Sequence, residues 1–329
     1  MADGFTAMVI RDVEGKPRAG FETLTLADLP DNDVLVRISH SSVNYKDGLA
    51  ITGKGRIARR LPMVAGIDLA GVVMESSDPA WQAGDKVIVN GWGLSETEWG
   101  AYSRFQRLKP AYLTRLPSGF GPAEAMAIGT AGYTAALCVL ALQDFGALDG
   151  GGDVLVTGAA GGVGSVAVAL LAKLGHRVIA STGRPQEHDF LTDLGASGFV
   201  DRAELSAAGK MLQAERWDAG VDVVGSHTLA NALAQTRYGG AIAACGLAGG
   251  VDLPGSVMPH ILRAVALLGV DSVMVPQGKR ARAWGLLDQH LDRAKLANLT
   301  VTAPMSDLPE LAARIVAGQL RGRTVVEIS

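Results

Sequence analysis

Apolar residues in the first 125 positions come in short bursts separated by glycine-containing breaks. Val34-Leu35-Val36-Arg37-Ile38 and Lys86-Val87-Ile88-Val89 are β-branched and bounded by turn formers, so each predicts a strand. Gly66, Gly71, Gly84, Gly91, Gly93 and Gly100 punctuate the same stretch. This part reads as mostly strand and loop. Beyond about residue 126 the rhythm changes. Asp153-Val154-Leu155-Val156-Thr157 predicts a strand, 163–174 an Ala/Val/Leu helix, Arg177-Val178-Ile179-Ala180 a second strand and 186–194 a second helix. Gly198-Phe199-Val200, Val221-Asp222-Val223-Val224 and Ala241-Ile242-Ala243-Ala244 continue the strands. Such alternation predicts a parallel sheet covered on both faces. The tail predicts a helix over 280–291, a strand near Leu299-Thr300-Val301, a helix from Asp307 and a final strand over 324–328. It is too short to be a domain, so it is expected to pack on the first one. The expected division is a β-rich domain at 1–125, an α/β domain at 126–270 and a return segment at 271–329. A cleft between the two bodies is the default place for a site.

Composition narrows the function classes. A chain of 329 residues suits about two domains and can bury a sizeable core. Its 42 glycines follow no Gly-X-Y period and cluster at turns, where the backbone approaches something closely. Thirty Lys and Arg against 33 Asp and Glu give a net charge of −3, without the basic footprint of a nucleic-acid binder. The two cysteines, Cys138 and Cys245, lie far apart in the sequence, which argues against a disulfide framework or a Cys-rich zinc site. The first residues carry an acid and no long apolar stretch, unlike a secretory leader. The uncharged run 126–142 contains Gly129, Thr130, Gly132, Tyr133 and Thr134, with no Lys or Arg beside it. It is short of the roughly 20 apolar residues of a spanning helix and lacks a positive flank, so a buried helix is expected. The expectation is a cytoplasmic protein with no membrane partner.

The strand ending at Thr157 runs into Gly158-Ala159-Ala160-Gly161-Gly162-Val163-Gly164 and then a helix. Glycines at this turn let backbone N–H groups at the helix start approach a pyrophosphate. Strand, turn and helix in this order make the dinucleotide reading stronger than the glycine spacing alone. The next strand ends at Ser181-Thr182-Gly183-Arg184, with no acid before Glu187. An acidic residue there would hold a ribose diol, whereas hydroxyls and a guanidinium suit a 2′-phosphate. NADPH is therefore expected in place of NADH; the other reading of the segment is a solvated loop. Arg202, just past the third strand, either stacks on adenine or reaches the same phosphate.

Other chemistries are missing. Two cysteines cannot supply a catalytic zinc set and a four-cysteine lobe, and His40, His176, His188, His227, His260 and His290 show no paired ligand spacing. No Tyr is followed four residues later by Lys, and no G-x-S-x-G occurs. The stretch from Gly48 to Gly53-Lys54-Gly55 nearly matches a phosphate-binding loop of nucleoside triphosphatases but lacks its final Ser or Thr.

Several stretches resemble the acrylyl-CoA reductase group within the zinc-independent, quinone-oxidoreductase-like branch of the medium-chain dehydrogenase/reductase superfamily. They are Asn44-Tyr45-Lys46-Asp47 through Ile51-Thr52-Gly53-Lys54-Gly55, Gly66-Ile67-Asp68, Gly129-Thr130-Ala131-Gly132, the turn from Ala159 to Ser165, Ala244-Cys245-Gly246-Leu247-Ala248-Gly249-Gly250, and Gly269-Val270-Asp271-Ser272-Val273. Where zinc enzymes of the superfamily read Gly-His-Glu, this chain reads Gly66-Ile67-Asp68. The resemblance spans nearly the whole chain. It implies a GroES-like catalytic domain, a Rossmann nucleotide domain, no metal, and a homodimer. It also implies hydride transfer from NADPH to the β-carbon of an α,β-unsaturated thioester, with a proton delivered to the α-carbon. By the same resemblance Ala160, Gly161, Gly162 and Val163 hold the pyrophosphate, Thr182, Gly183, Arg184 and Arg202 the adenosine 2′-phosphate and adenine, and Leu247, Ile261 and Ser272 the nicotinamide half. Tyr45 matches an aromatic beside the nicotinamide.

Hydride addition builds negative charge on the thioester oxygen and needs a proton for the α-carbon. Tyr45 is the candidate acid, or the anchor of a donating water. Asn44 is the candidate for orienting it or the nicotinamide amide, and Asp47 either shares the catalytic site or pairs with Lys46. Lys54, Arg56, Arg59 and Arg60, with Arg321 and Arg323 in the return segment, either bind the phosphates of coenzyme A or line a solvated loop. Two other activities stay open at this point: reduction of quinones or small enones on the same fold, and NADPH binding without catalysis, as in crystallins.

Overall fold

The computed structural model describes residues 4–328. They form two compact units. The first takes the described residues up to Thr130, Ser272–Ala281 and those from Leu299 onward; the second takes Ala131–Asp271 and Arg282–Asn298. The expected boundary near 125 thus falls five residues later. The expected return segment is also divided: residues 282–298 belong to the second unit. There Ala283, Trp284, Leu287 and Leu296 are buried and Trp284 stacks on Tyr133, so the apolar side of this helical stretch covers the second core.

In the second unit six parallel strands lie in the order Ala196–Asp201, Arg177–Thr182, Asp153–Val156, Trp217–Asp222, Thr236–Ala244, Ala266–Gly269. Numbered along the unit this is 3-2-1-4-5-6, the doubly wound dinucleotide-binding order. Leu155, Trp217, Leu229, Leu233 and Ile242 form the heart of its core. The central strands are apolar on both faces, as strands covered by helices must be. The Rossmann expectation is met.

The first unit is built on antiparallel pairing. Val34–Ser42 lies between Asp68–Ser76 and the C-terminal strand Arg323–Glu327, and also pairs with Phe105–Leu108. Lys86–Asn90 continues the sheet beyond Asp68–Ser76, and Thr300–Pro304 closes the other edge in parallel with Arg323–Glu327. A second sheet joins Lys16–Leu24, Phe5–Val13 and Met63–Val64. Met8, Ile10, Val36, Ile38, Leu69 and Tyr102 lie in one core cluster that draws on both sheets. This stretch was expected to be strand and loop; it also holds a helix, Tyr45–Thr52, whose Gly48 faces the helix Leu308–Val316 so closely that a Cβ would strike Ile315 and Val316.

The uncharged run 126–142 lies within the helix Pro122–Phe145, and 83% of its most apolar window is buried inside the protein. A kink that the composition of the run does not announce interrupts this helix: Gly129 has φ 52° and ψ −163°, outside any helix.

Candidate active site

In the second unit the nucleotide turn follows from strand geometry. Asp153–Val156 delivers the chain to Gly158, at φ 57°, and the helix Gly162–Lys173 starts beyond Gly161. A Cβ on Gly164 would collide with the Gly158 carbonyl oxygen and come 2.7 Å from the Ala159 Cα, so glycine lets the helix sit directly against the turn. Ala160 is buried, and Gly161, Gly162 and Val163 form the helix start. N–H groups in a first helical turn lack intrahelical acceptors and sit at the positive end of the dipole. This is a cradle for a pyrophosphate.

The second cluster comes from strand adjacency. Thr182 pairs in register with Asp201, which places Arg202 beside Gly183. A Cβ on Gly183 would lie 2.8 Å from Arg202 Nε, so glycine is what lets the guanidinium approach the backbone. Arg184 donates its backbone N–H to Thr182 Oγ1 at 3.1 Å, and its guanidinium lies 3.6 Å from Glu187. Thr182, Gly183, Arg184 and Arg202 are thus brought together, with two cations and a hydroxyl around a glycine: the donor set for a phosphate monoester. Leu247 follows the carboxyl end of the strand Thr236–Ala244 and is 60% exposed; Ile261 lies on the helix Met258–Arg263 and is 72% exposed. Ser272 falls in the first unit, its carbonyl oxygen packed where a Cβ on Gly91 would sit.

In the first unit Asn44 caps the helix that begins at Tyr45, and the tyrosine ring is 42% exposed. Behind it is a buried polar network that the sequence reading resolved only in part. Asp68 Oδ2 accepts from Ser42 Oγ (2.6 Å), Asn44 Nδ2 (2.8 Å) and the Thr130 N–H (2.8 Å); Oδ1 accepts from Asn90 Nδ2 (2.7 Å) and the Thr130 hydroxyl. Asp47 accepts from the N–H groups of Asn44 (2.9 Å) and Ile67 (3.0 Å) and from Asn44 Nδ2 (3.1 Å). Arg323 donates to the Ala127 carbonyl (2.7 Å), Ser42 Oγ (3.1 Å) and Asn44 Oδ1 (3.3 Å). Tyr102 donates its hydroxyl to the Ser42 carbonyl at 2.9 Å.

This geometry corrects several expectations. Arg323 is buried and its donors are held by the protein's own oxygens, so it is not a surface cation for coenzyme A phosphates. Asn44 and Asp47 are buried in the same network; they fix the start of the tyrosine helix and face no solvent. Lys46 pairs with Glu96 at 2.6 Å and leaves Asp47 to the network. The missed members Asp68, Ser42, Asn90, Tyr102 and Thr130 come from separate segments. The nearest sequence signal was the acid at Asp68, where a zinc enzyme would carry a glutamate.

Burial and the neighbouring Asp68 carboxylate push Asp47 up to about 7. Burial also raises Tyr102 well above the usual phenol range and lowers Arg323. The sign for Asp47 is unusual for an aspartate. Above its ordinary value of 3.8 the unfolded chain has lost the proton while the fold still holds it. The stabilisation is therefore complete below 3.8 and is lost as pH rises through about 7. The melting temperature of the wild type, minus that of Asp47→Asn, is expected to fall across this interval. A pH-independent difference would show that Asp47 ionises in the fold as it does in the unfolded chain.

A zinc ion does not fit these residues. Ile67 offers no donor, Asp68 is saturated by protein hydrogen bonds, and both cysteines lie in the second unit. Among the described residues no group of three or more His, Cys, Asp or Glu is placed to hold a metal.

Comparison with known proteins gives the family. The family model described as alcohol dehydrogenase GroES-like domain matches residues 30–139, and that described as zinc-binding dehydrogenase matches 162–288. The chain is 49% identical to the acrylyl-CoA reductase AcuI of Ruegeria pomeroyi, over 99% of each chain. It is 47% identical to the probable acrylyl-CoA reductase AcuI of Escherichia coli, over 98% of this chain and 99% of that one. The solved YhdH oxidoreductase of Salmonella enterica, in complex with NADP, superposes with a TM-score of 0.96 at 47% identity, covering 98% of this chain and all of that one. Full-length identity of this order defines a member of the medium-chain dehydrogenase/reductases. The chain belongs to that superfamily, in its acrylyl-CoA reductase group.

Proposed function

We propose that this chain reduces the carbon–carbon double bond of acrylyl-CoA to give propionyl-CoA, with NADPH as reductant and without a metal. The observation that carries this reading is the 49% identity over 99% of the chain to an acrylyl-CoA reductase. NADPH, when bound, supplies the hydride for the β-carbon. The residues that hold it are Ala160, Gly161, Gly162 and Val163 for the pyrophosphate, Thr182, Gly183, Arg184 and Arg202 for the 2′-phosphate and adenine, and Leu247, Ile261 and Ser272 for the nicotinamide half.

Tyr45 supplies the proton for the α-carbon or anchors the water that does. Asn44 and Asp47 act behind it by fixing the helix on which it stands. Tyr45→Phe is expected to lower kcat about a hundredfold while the NADPH Kd barely changes. Unaltered turnover would remove Tyr45 as acid, and a much weaker Kd would recast it as a nicotinamide contact.

Lys54, Arg56 and Arg60 are exposed, and Arg59, also exposed, lies 3.9 Å from Glu96. These cations take the phosphates of coenzyme A. Arg56→Ala is expected to raise KM for acrylyl-CoA about fivefold, the weight of one solvent-exposed charge pair. KM for a small quinone stays unchanged; equal effects on both would end the coenzyme A role.

The chain acts in the cytoplasm as a homodimer. Its interface is the outer edge of the strand Ala266–Gly269, the last of its sheet, on which Leu267 is exposed. The decisive assay follows NADPH absorbance with acrylyl-CoA, crotonyl-CoA, a simple quinone and an NADH control. Oxidation driven by acrylyl-CoA and NADPH supports the reading. Activity with the quinone alone would replace it by a quinone reductase, and cofactor binding without turnover by a non-enzymatic role.

A further inference from the structure

Asp222 ends the strand Trp217–Asp222 and is fully buried at the carboxyl end of the parallel sheet. Its two carboxyl oxygens are divided between two partners. Oδ1 accepts the Thr157 hydroxyl and Oδ2 the Gly225 N–H, each at 2.7 Å. Thr157 Oγ1 in turn accepts the Val223 N–H at 3.1 Å. The turn 223–225 is therefore tied to one carboxyl at both ends, at Gly225 directly and at Val223 through the threonine. Burying a carboxyl costs stability, and an apolar side chain would fill the same space without that cost. What the carboxyl does that an apolar group cannot is hold this turn in one place.

Two other stretches rest on the turn. The first is the pyrophosphate turn: a Cβ on Gly158, at φ 57°, would lie 2.5 Å from Val223 Cγ2. The second is the loop 246–250, which carries Leu247. There the Gly249 N–H donates to the Val224 carbonyl at 2.7 Å. A Cβ on Gly246 would collide with the Val223 carbonyl oxygen, and one on Gly225 would lie 2.7 Å from the Gly250 carbonyl oxygen. Contacts this close leave no slack, so a shift of Val223 or Gly225 displaces both stretches.

We infer that Asp222 is a positioning residue for the dinucleotide: by fixing the turn 223–225 it sets the pyrophosphate turn in register with the loop that carries Leu247. It acts only through these two stretches, and the inference rests on the cofactor contacts given under Proposed function. What it governs is the part that NADPH and NADH share. The cluster for the 2′-phosphate lies elsewhere, at the end of Arg177–Thr182, on the other side of Asp153–Val156 in the sheet.

The test titrates NADPH, NADH and adenosine 2′-monophosphate against the full chain and three variants, with thermal melts to verify folding. Asp222→Ala and Thr157→Val each weaken NADPH and NADH by the same factor, about tenfold. Adenosine 2′-monophosphate, which meets only the Thr182–Arg202 cluster, changes by less than about twofold. Asp222→Asn still accepts the Gly225 N–H and recovers most of the dinucleotide affinity. Thr157→Val has nearly the shape of threonine and decides the matter where Asp222→Ala does not fold. Unchanged dinucleotide affinity in the folded variants, a loss confined to NADPH, or an equal loss for adenosine 2′-monophosphate would overturn the inference. A wild type that binds neither dinucleotide would remove the cofactor reading itself, and this inference with it.

Discussion

Gly129→Ala will lower stability by on the order of 4 kcal/mol, adding backbone strain to the disruption of a buried charge network. The residue has φ 52° and ψ −163°, which glycine alone adopts readily. A Cβ there would lie 2.6 Å from Arg323 Nη2, 2.7 Å from Ser42 Oγ and 2.8 Å from Asp68 Oδ2. Each of those atoms is held in a buried hydrogen bond, so none retreats without leaving a polar group unpaired. Domains are stable by roughly 5–15 kcal/mol, so the loss is a large share. Urea unfolding followed by tryptophan fluorescence reads it as a lower midpoint. An unchanged midpoint would show that the network relaxes around a methyl group.

Arg184→Ala combined with Arg202→Ala will weaken NADPH binding by roughly 10²–10⁴-fold, at about 1.5–3 kcal/mol for each hydrogen bond to a charged group. NADH, which lacks the 2′-phosphate, will change within a few-fold. The two arginines flank Gly183, where the neighbouring guanidinium leaves no room for a side chain. The measurement is a titration of both cofactors against wild type and the double variant. Equal losses for the two would place the arginines on a part the cofactors share.

The strand–helix rhythm was legible because buried parallel strands and covering helices have different periods and sharp glycine boundaries. The strands at 153–156 and 177–182 and the helix at 162–173 follow directly from it. The phosphate cluster was legible for the same reason: Thr182, Gly183 and Arg184 are contiguous, and Arg202 directly follows the adjacent strand. The network around Asp68 was not. Its members come from residues 42–47, 68, 90, 102, 127–130 and 323, and no local pattern links positions so far apart. Arg323 sits in Arg321-Gly322-Arg323, which reads as a solvated turn. Only the paired strand that follows, buried at Thr324, Val325 and Val326, draws it inside. Gly129 was hidden in an apolar run whose composition is that of a straight helix.

The C-terminal strand Arg323–Glu327 is an inner strand of the first unit, lying between Thr300–Pro304 and Val34–Ser42. During synthesis, Val34–Ser42 therefore leaves the ribosome nearly three hundred residues before its neighbour exists. Until then one edge of a central strand stays bare, and Asp68 lacks the cation that shares its pocket. The second unit's six strands lie within one continuous stretch, and it is complete once Arg282–Asn298 has emerged, still ahead of Arg323–Glu327. Order of assembly is thus the reverse of order in the chain. The nucleotide-binding half folds while the N-terminal half waits, its open edge exposed to whatever chain is nearest.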